Sequence, residues 1–576
     1  MADPTFTFAG FRLEPDGTLF RGESVIHLPA RELSALRVLL AHAGQVVTPQ
    51  HLRQALWGDV HVTADSIPKC LSSLRARLAP DECIQTVYKR GYRFSAEVRR
   101  HRAAVAEELP RLAVIPFETG GGFPAHLGLG VVEEAVDRLV NMRPALVSVL
   151  ARDSVFTLAR SSRTALEVGR ELDADMVLTG TLRALPAHYR LRASMIRVSD
   201  GAEIWIEDIL VEKDRMGALE AELLARVVFR LSQRRVSISV FAESEDGPDN
   251  EPQRREAYDS YLRSRFQCQT LERHRMQDGL QHLLRATEIA PSLTSAQVDL
   301  AHLCCLQSLY GFMSPAVAAQ NVRRAAQSIP ESSPHREMVL PALGWVDFHV
   351  DRNLEAAIVA FAQGETLPHD SRVLRLRVMF ALSRHRFDDA IELMQFALRK
   401  DPFSPLLQTH LAWAYHLAGR PDESREQIQR ALSLAPGFEW TLHYGAIIAG
   451  YSGDAALALQ LAEELAQRHP YFDPAAAVHA YALACARRAS EARAVLERLL
   501  WLSRERFVLR SFTPAVHVAL GDEEAALAEL RVANESRCPW FFQVLADPRL
   551  EPLGRYPEFA GMRSMLAGME AASVAS

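Results

Sequence analysis

Two short stretches of the sequence concentrate positive charge and hydrogen-bond donors. TVYKRGYRFSA, residues 86–96, contains three cations: Lys89, Arg90 and Arg93. SIPKCLSSLRARL, residues 66–78, adds six donors: Ser66, Lys69, Ser72, Ser73, Arg75 and Arg77. Cations neutralise phosphate groups, while hydroxyl and ammonium groups can bond the edges of bases. A simple turn in the first stretch would need Gly91 but not the charge, so the pattern predicts a surface that binds DNA.

Residues 66–78 read as an amphipathic helix. Four apolar residues recur at helical spacing on one face: Ile67, Leu71, Leu74 and Leu78. The opposite face carries one lysine with small residues, and a face this slim can enter a major groove. Pro68 is tolerated because it falls in the first turn. An ordinary solvated face is the alternative for this helix alone; the cationic hairpin that follows favours DNA binding.

The elements around these stretches change periodicity twice within the first hundred residues. Residues 6–28 alternate and are broken by turn signals, which predicts a short antiparallel sheet. Helical patterns follow at 30–44, 48–58 and 66–78, and 84–94 returns to strands. A sheet, three helices and a terminal hairpin in this order predict a winged helix.

Three stretches resemble the winged-helix domain of the OmpR/PhoB response-regulator class in order and spacing: LPARELSALRVLLAHAGQVVTPQHLRQALWG, SIPKCLSSLRARL and IQTVYKRGYRF. The resemblance covers about residues 5–98. It implies that the third helix reads the major groove. It also implies that the hairpin 84–94, called the wing, enters the adjacent minor groove. Carried onto this sequence, it implies six contact residues: Ser66, Lys69, Ser72, Ser73, Lys89 and Arg90.

The region after a charged linker alternates between strand and helix patterns, which predicts a small α/β domain. The expected strands are 111–117, 145–151, 175–185, 189–198 and 202–209, and the expected helices are 127–141, 164–174 and 213–235. LAVIPF, ELDADMVLTGTLRAL and YRLRASMIRVSDGAEIWIE resemble the TolB-like module of bacterial regulators, which implies no catalytic role. A phosphate loop at Gly120–Gly122 is the alternative, but the GxxxxGK[ST] lysine is missing.

The remaining sequence repeats with a period of 34 residues. Prolines recur at this step: Pro368, Pro402, Pro436 and Pro470. Small residues keep the same step in two sets: Ala356, Ala390, Ser424, Ala458, Ala492 and Ala526, and Ala412, Ala446 and Ala480. Small residues are needed where two helices of a pair cross closely. The pattern resembles the tetratricopeptide repeat (TPR) family and predicts a stacked helical solenoid.

Composition argues against several functional classes. The chain has 576 residues and a net charge of −6, so a basic site must be local. Seven cysteines without a CxxC pair argue against a disulfide framework or a zinc ribbon. HExxH and GxSxG motifs are missing, so we expect no metal, no cofactor and no enzyme. The start lacks signal-peptide features and the sequence lacks a run of about 18 apolar residues, which predicts a cytoplasmic protein.

We therefore expect a multidomain chain: a winged helix (α+β) at 1–99, a linker at 100–110, a small α/β domain at 111–240, a linker at 241–253, and an all-α TPR solenoid with a carboxy-terminal cap at 254–576. The expected function is transcriptional regulation by a winged helix that reads promoter DNA. The α/β module and the TPR solenoid, called the array below, are expected to mediate oligomerisation or sensing. Expected partners are double-stranded DNA, a second copy of the chain, RNA polymerase, and a protein, peptide or small ligand in the array.

Three alternatives remain at this point. One is an activator of the antibiotic-regulatory type, in which a winged helix also precedes TPR units. The second is a scaffold whose winged helix docks proteins instead of DNA. The third is a nucleotide-binding enzyme acting at the Gly120–Gly122 loop.

Overall fold

The computed structural model describes most of the chain, and it separates into two compact units, 1–109 and 110–576. The described residues are 5–13, 19–21, 24–26, 30–44, 46–50, 52–53, 66–78, 83–87, 90–96, 98–101, 109–141, 146–150, 152–159, 163–213, 216–232, 251–268, 272–333, 335–363, 371–399 and 401–575. In these ranges no helix combines the length and hydropathy needed to cross a bilayer.

The amino-terminal unit combines two small sheets with helices. Its elements are β1 (Thr5–Phe8), β2 (Phe11–Leu13), β3 (Leu19–Arg21), β4 (Ser24–Ile26), α1 (Ala30–Ala41), β5 (Val46–Val47), α2 (Ser66–Arg77), β6 (Ile84–Val87), β7 (Gly91–Phe94) and β8 (Val98–His101). One sheet has the order β4-β3-β2-β1-β8, and the other has the order β5-β7-β6. The expected winged-helix arrangement is confirmed in these elements. The predicted helix 48–58 is described only at 48–50 and 52–53.

An aromatic and aliphatic core joins the two sheets of this unit to its helices. The ring of Phe8 stacks on Phe11 at 5.5 Å and meets the edge of Phe94 at 5.1 Å. Leu36 and Leu74, one from each helix, are fully buried beside them. The wing strand β7 is therefore anchored to the core through Phe94.

The predicted linker 100–110 begins too early. Strand β8 includes Arg100 and His101, and it pairs antiparallel with β1 so that Thr5 faces His101. Val98 also packs against the core. The alternation in this stretch is obscured by consecutive cations, and only pairing with a strand more than 90 residues earlier in the chain shows that it belongs to the sheet.

The carboxy-terminal unit begins with an α/β sheet. Its elements are β9 (Arg111–Val114), β10 (Glu118–Gly120), α3 (Ala125–Asn141), β11 (Ser148–Val149), α4 (Arg152–Ala159), α5 (Ala165–Glu171), β12 (Met176–Ala184), β13 (His188–Arg197), β14 (Glu203–Glu212) and α6 (Met216–Ser232). The sheet order is β11-β9-β12-β13-β14, with β10 pairing parallel to the end of β12. Parallel and antiparallel pairs are thus mixed, and the α/β character is confirmed.

Two elements of this sheet region were not predicted. Strand β10 falls in the glycine-rich stretch, which we interpreted only as a turn; Gly121 and Gly122 make that turn with φ of 62° and 75° just after the strand ends. Helix α4 covers residues 152–159, where no regular element was expected. Its buried apolar residues, Val155, Phe156 and Leu158, span about one turn, which is too short to give a helical periodicity in the sequence.

The array consists of paired antiparallel helices. They are α7 (Glu251–Gln267), α8 (Arg273–Ile289), α9 (Thr294–Leu309), α10 (Pro315–Gln327), α11 (Arg336–His349), α12 (Leu354–Gln363), α13 (Ser371–Ser383), α14 (Phe387–Leu398), α15 (Pro405–Leu417), α16 (Pro421–Leu434), α17 (Glu439–Tyr451), α18 (Ala455–Arg468), α19 (Pro474–Cys485), α20 (Ala489–Leu502), α21 (Pro514–Ala519), α22 (Glu523–Glu535), α23 (Phe541–Val544) and α24 (Pro557–Ala575). The predicted linker 241–253 ends too late, since α7 starts at Glu251; its other residues, and Pro368, lie outside the described part.

The small residues of the repeat lie where the helices of a pair meet. Ala412, Ala446 and Ala480 are fully buried. The other set behaves in the same way from Ala390 onward, but Ala356 is only half-buried, and its neighbour Ala357 is fully buried instead. The predicted register is therefore wrong by one residue at α12, because the unit between α12 and α14 is one residue shorter than the others.

The turn inside each pair uses a left-handed backbone conformation at a repeating position. Six residues with positive φ mark it: Arg352, His385, Gly419, Gly453, Arg487 and Gly521. Successive positions are 34 residues apart, except for the first step of 33, which matches the shorter unit. Glycine adopts this conformation at little cost, whereas a side chain raises its energy. The sequence shows the glycines of this set but hides the three other members.

This turn gives a paired prediction. Arg487→Gly should raise the free energy of unfolding by about 1 kcal/mol, because the left-handed conformation at φ 62° strains a residue with a Cβ. Gly453→Ala should lower it by about 1 kcal/mol for the same reason; nothing lies within 4 Å of the added Cβ, so the effect is purely conformational. Denaturant unfolding of the full chain measures both, and shifts of the same sign would contradict the assignment.

The segment that follows the last long pair does more than cap it. We expected DPRLEPLGRYPEF to close the final helical pair, and the 3-10 helix Pro548–Arg555 does contact α21 and α22. However, the Arg549 guanidinium also lies 4.6 Å from the ring of Tyr481 in α19, and the Asp547 carboxylate lies 3.4 Å from the imidazole of His416 in α15. The segment therefore runs back along the first helices of several pairs.

Candidate nucleic-acid interface

Helix α2 divides cleanly into a buried and an exposed face. Ile67, Leu71, Leu74 and Leu78 pack into the core with at most 8% of their surface exposed. Lys69, Ser72 and Ser73 lie on the exposed face, as the spacing predicts. Lys69 and Ser72 make no hydrogen bond or ion pair with any residue in the described ranges. Both are thus available for an external acceptor.

Glu32 holds the exposed face of α2 in place, a role that the sequence did not reveal. Ser73 Oγ donates to Glu32 Oε1 at 2.6 Å, and Arg77 Nε lies 2.8 Å from Glu32 Oε2. Glu32 belongs to the first turn of α1, more than 40 residues earlier, and only 8% of its surface is exposed. Ser73 and Arg77 therefore position the helix within the domain, and the pairing leaves part of the Arg77 guanidinium at the surface.

Arg75 connects α2 to the wing. Its Nε donates to the carbonyl oxygen of Ile84 at 3.0 Å, and its terminal nitrogen donates to Thr86 Oγ1 at 2.9 Å. Both acceptors belong to β6, the first strand of the wing. A DNA-contact role was expected for Arg75, but these bonds direct it toward β6 and make it a brace that sets the wing beside the helix.

The wing depends on Gly91 for its close approach to the rest of the domain. Gly91 has a φ of 139°, and a Cβ at this position would lie 2.1 Å from the carbonyl oxygen of Val47 in β5. Any other residue would push β5 and β7 apart. The glycine therefore serves strand packing as well as the turn, in which the Arg90 N–H donates to the carbonyl of Val87 at 2.9 Å.

Two wing cations have no carboxylate partner in the described part of the domain. Arg90 is exposed at the turn, and Arg93 is half-buried in the central strand β7, where its Nε is shielded from solvent without a hydrogen-bond partner. Lys89 and the side chain of Ser66 lie outside the described residues. The structure thus connects helix and wing through Arg75, and no described residue pairs with Lys69, Ser72, Arg90 or Arg93.

The described residues contain no group of three or more histidine, cysteine or acidic side chains arranged to hold a metal ion. All seven cysteines are free thiols, and four of them are buried: Cys83, Cys304, Cys305 and Cys538.

Two family models match this chain, one in the winged helix and one within the helical array. Residues 22–94 match the family described as "Transcriptional regulatory protein, C terminal", and residues 381–441 match "Tetratricopeptide repeat". The chain is also similar to "Transcriptional regulator HilA" of Salmonella typhimurium, with 22% identity over 451 residues that cover 76% of this chain and 71% of that protein.

The chain is a DNA-binding transcriptional regulator. Its winged helix is of the OmpR/PhoB type, and its repeats are tetratricopeptide repeats. A further similarity, to "Putative adenylate cyclase 3" of Rhizobium meliloti, reaches 27% identity over 194 residues, a third of each chain. Among solved structures, a tetratricopeptide repeat protein from Parabacteroides merdae aligns with a TM-score of 0.30 and 13% identity, covering 46% of this regulator and 99% of that chain. Yeast Tom70 aligns with a TM-score of 0.34 and 12% identity, covering 76% and 84%.

Proposed function

We propose that α2 enters the major groove of promoter DNA and that the wing lies on the adjacent backbone and minor groove. Lys69 and Ser72 would bond base edges, with Ser66 at the start of the same helix. Arg90 and Arg93, together with Lys89, would neutralise phosphates. The observation that carries this proposal is that Lys69 and Ser72 on α2 and Arg90 at the wing turn are exposed and have no partner among the described residues.

The proposed contact surface on α2 and the wing is already held in place without DNA, which supports this role. Glu32 fixes the carboxy-terminal half of α2 through Ser73 and Arg77. Arg75 then fixes β6 relative to the same half of the helix. Because these side chains are already ordered, little conformational entropy is lost when the helix and wing bind together. Ser73, Arg75 and Arg77 thus act chiefly by positioning, with the exposed part of Arg77 able to reach a phosphate.

The salt dependence of binding tests the wing. Lys89→Ala/Arg90→Ala in the full-length protein should weaken binding to all duplexes and reduce the slope of log K against log salt by about 2, because two phosphate contacts are lost. Arg425→Ala/Arg430→Ala is the matched control: it removes the same charge from exposed positions of the array. A slope that falls equally in both variants, or in neither, would contradict the assignment of the wing.

The rest of the chain would control how the winged helix acts. A single winged helix presents a small basic surface, so pairing of two copies would raise the effective concentration of the second on DNA. We propose that the carboxy-terminal unit supports this assembly and binds a protein partner, with RNA polymerase as one candidate. The regulator would act in the cytoplasm, where its DNA lies, and would work by binding without catalysis.

A further inference from the structure

Glu439, the first residue of α17, is an exception among the buried acids of the carboxy-terminal unit. The other buried carboxylates in the described residues are each paired with an arginine or bonded by a serine: Glu133, Glu134, Glu220, Asp401, Asp473, Glu529 and Asp547. Glu439 is 5% exposed, and its Oε1 has no hydrogen-bond partner among these residues. A carboxylate that is buried without a cation resists ionisation, so its protonated form is favoured.

The position of Glu439 is where distant parts of the array meet. The ring centroid of the adjacent Trp440 lies 5.2 Å from that of Tyr310 in α9, 4.9 Å from that of Phe472 and 5.2 Å from that of Trp540. The contact of α17 with α9 and Trp540 is called the junction. It joins residues that are more than 100 positions apart in the chain. A negative charge on Glu439 therefore arises beside a buried aromatic contact.

The groups that face Glu439 do not neutralise it. Burial, and then the Glu439 carboxylate, raises the pKa of the Tyr310 and Tyr471 hydroxyls, so both hydroxyls stay uncharged near neutral pH. Arg375 of α13 acts on Tyr310, but it forms no ion pair with Glu439. Burial accordingly raises the pKa of Glu439 from 4.5 to about 7, with a bond from its own backbone N–H opposing the shift.

We propose that Glu439 is a pH-sensitive switch of the array: the protonated side chain permits the closed junction, and the ionised side chain loosens it. The pKa of Glu439 is higher in the folded chain than its ordinary value of 4.5. Its contribution to stability is therefore complete below pH 4.5 and is lost as the pH rises through 7. The junction should thus open more often at pH 8 than at pH 6. This switch requires no DNA, so it stands or falls separately from the proposed DNA contacts.

Hydrogen exchange of the full-length protein at pH 6 and pH 8, without DNA, tests the switch. The measured rates are corrected for the intrinsic pH dependence of exchange. Protection of the amides of 303–313 and 439–451 should then fall about tenfold more between the two pH values in wild type than in Glu439→Gln, because glutamine cannot ionise. Glu505→Gln makes the same change at an exposed position of the array and should match wild type.

The comparison with Glu439→Gln also removes the effect of two histidines whose rings lie near Trp440. Burial lowers the pKa of His410 to about 4 and that of His443 to about 3. A histidine with a lowered pKa loses its contribution to stability as the pH falls below 6.5, which is opposite to the effect of Glu439. Both histidines are present in wild type and in the variant, so the difference between the two proteins reports on Glu439.

An infrared difference spectrum between pH 6 and pH 8 identifies the titrating group itself. Wild type should lose the carbonyl stretch of a protonated carboxyl group as the pH rises, and Glu439→Gln should lack this loss. Wild type without the loss, an equal loss in the two proteins, or the same change of amide protection in both would each overturn the proposal.

Discussion

Replacing Arg265 with methionine is expected to lower the free energy of unfolding of the carboxy-terminal unit by about 3–5 kcal/mol, since a buried ion cluster would lose its central cation. Arg265 lies on α7 and is almost completely buried. Its guanidinium contacts four carboxylates: Glu133 at 3.3 Å, Glu134 at 2.7 Å, Asp137 at 2.5 Å and Asp299 at 3.5 Å. The first three belong to α3, so this cluster joins the α/β sheet region to the array.

The electrostatics of Glu134 explain the size of this effect. Burial alone would raise the pKa of Glu134, but the nearby guanidinium groups of Arg265 and Arg138 outweigh burial and lower it to about 2. The carboxylate therefore stays charged at neutral pH and needs its cations. Because the pKa is lower in the folded state, this group contributes stability above its ordinary pKa of 4.5 and loses that contribution as the pH falls toward 2.

Arg263→Met provides the control for Arg265→Met. It lies on the same helix and pairs with Asp259 at 2.6 Å, but its side chain is 48% exposed. A surface pair of this kind contributes about 0–1 kcal/mol. Denaturant unfolding of the two full-length variants should separate them clearly. Equal losses of unfolding free energy would show that the buried cluster does not stabilise the contact between the α/β sheet region and the array.

Trp540→Ala is expected to cost about 3–5 kcal/mol, the range for removing a large buried aromatic side chain. Trp540 is 1% exposed, and its Nε1 donates to the carbonyl oxygen of Leu309 at 2.8 Å. Its ring centroid lies 5.2 Å from that of Trp440 and 5.4 Å from that of Phe512. The residue therefore packs the part of the chain that follows α22 against α9 and α17, the first helices of two distant pairs.

Trp501→Ala removes the same side chain from a position that is 52% exposed and should cost less than about 1 kcal/mol. The comparison of the two tryptophan variants also bears on where the array could bind the expected protein, peptide or small ligand. Trp540 and its neighbours already occupy part of the face made by the first helices. If both tryptophan variants unfold like wild type, Trp540 does not stabilise this face.

Local patterns predicted the elements that carry the DNA-binding surface. The spacing of Ile67, Leu71 and Leu74 placed the buried face of α2 correctly, because burial of a helix in a small domain follows its own periodicity. The same holds for the repeats, whose glycines and alanines recur at a fixed step. These features depend on residues that are close in the sequence.

The features that the sequence did not reveal depend on contacts between distant residues. Glu32 bonds a serine 41 positions away, and Arg265 bonds Glu134 across 131 positions. In the same way, Ser154 in α4 accepts a bond from the Phe403 N–H at 2.9 Å, 249 positions later. A charged residue is predicted to be exposed as long as its partner in the fold is unknown. Neither the positioning of α2 nor the contact between the α/β sheet region and the array could therefore be predicted.

Selection of bound duplexes from a random pool by the full-length regulator tests the central claim most directly. If α2 reads bases, wild type will enrich a defined motif. Lys69→Ala will change the preference at one position by about 1–3 kcal/mol, while Lys213→Ala, on the α/β sheet, will leave the motif unchanged. Enrichment of no motif by wild type, or an identical motif from Lys69→Ala, would contradict the assignment of α2 as the element that reads DNA.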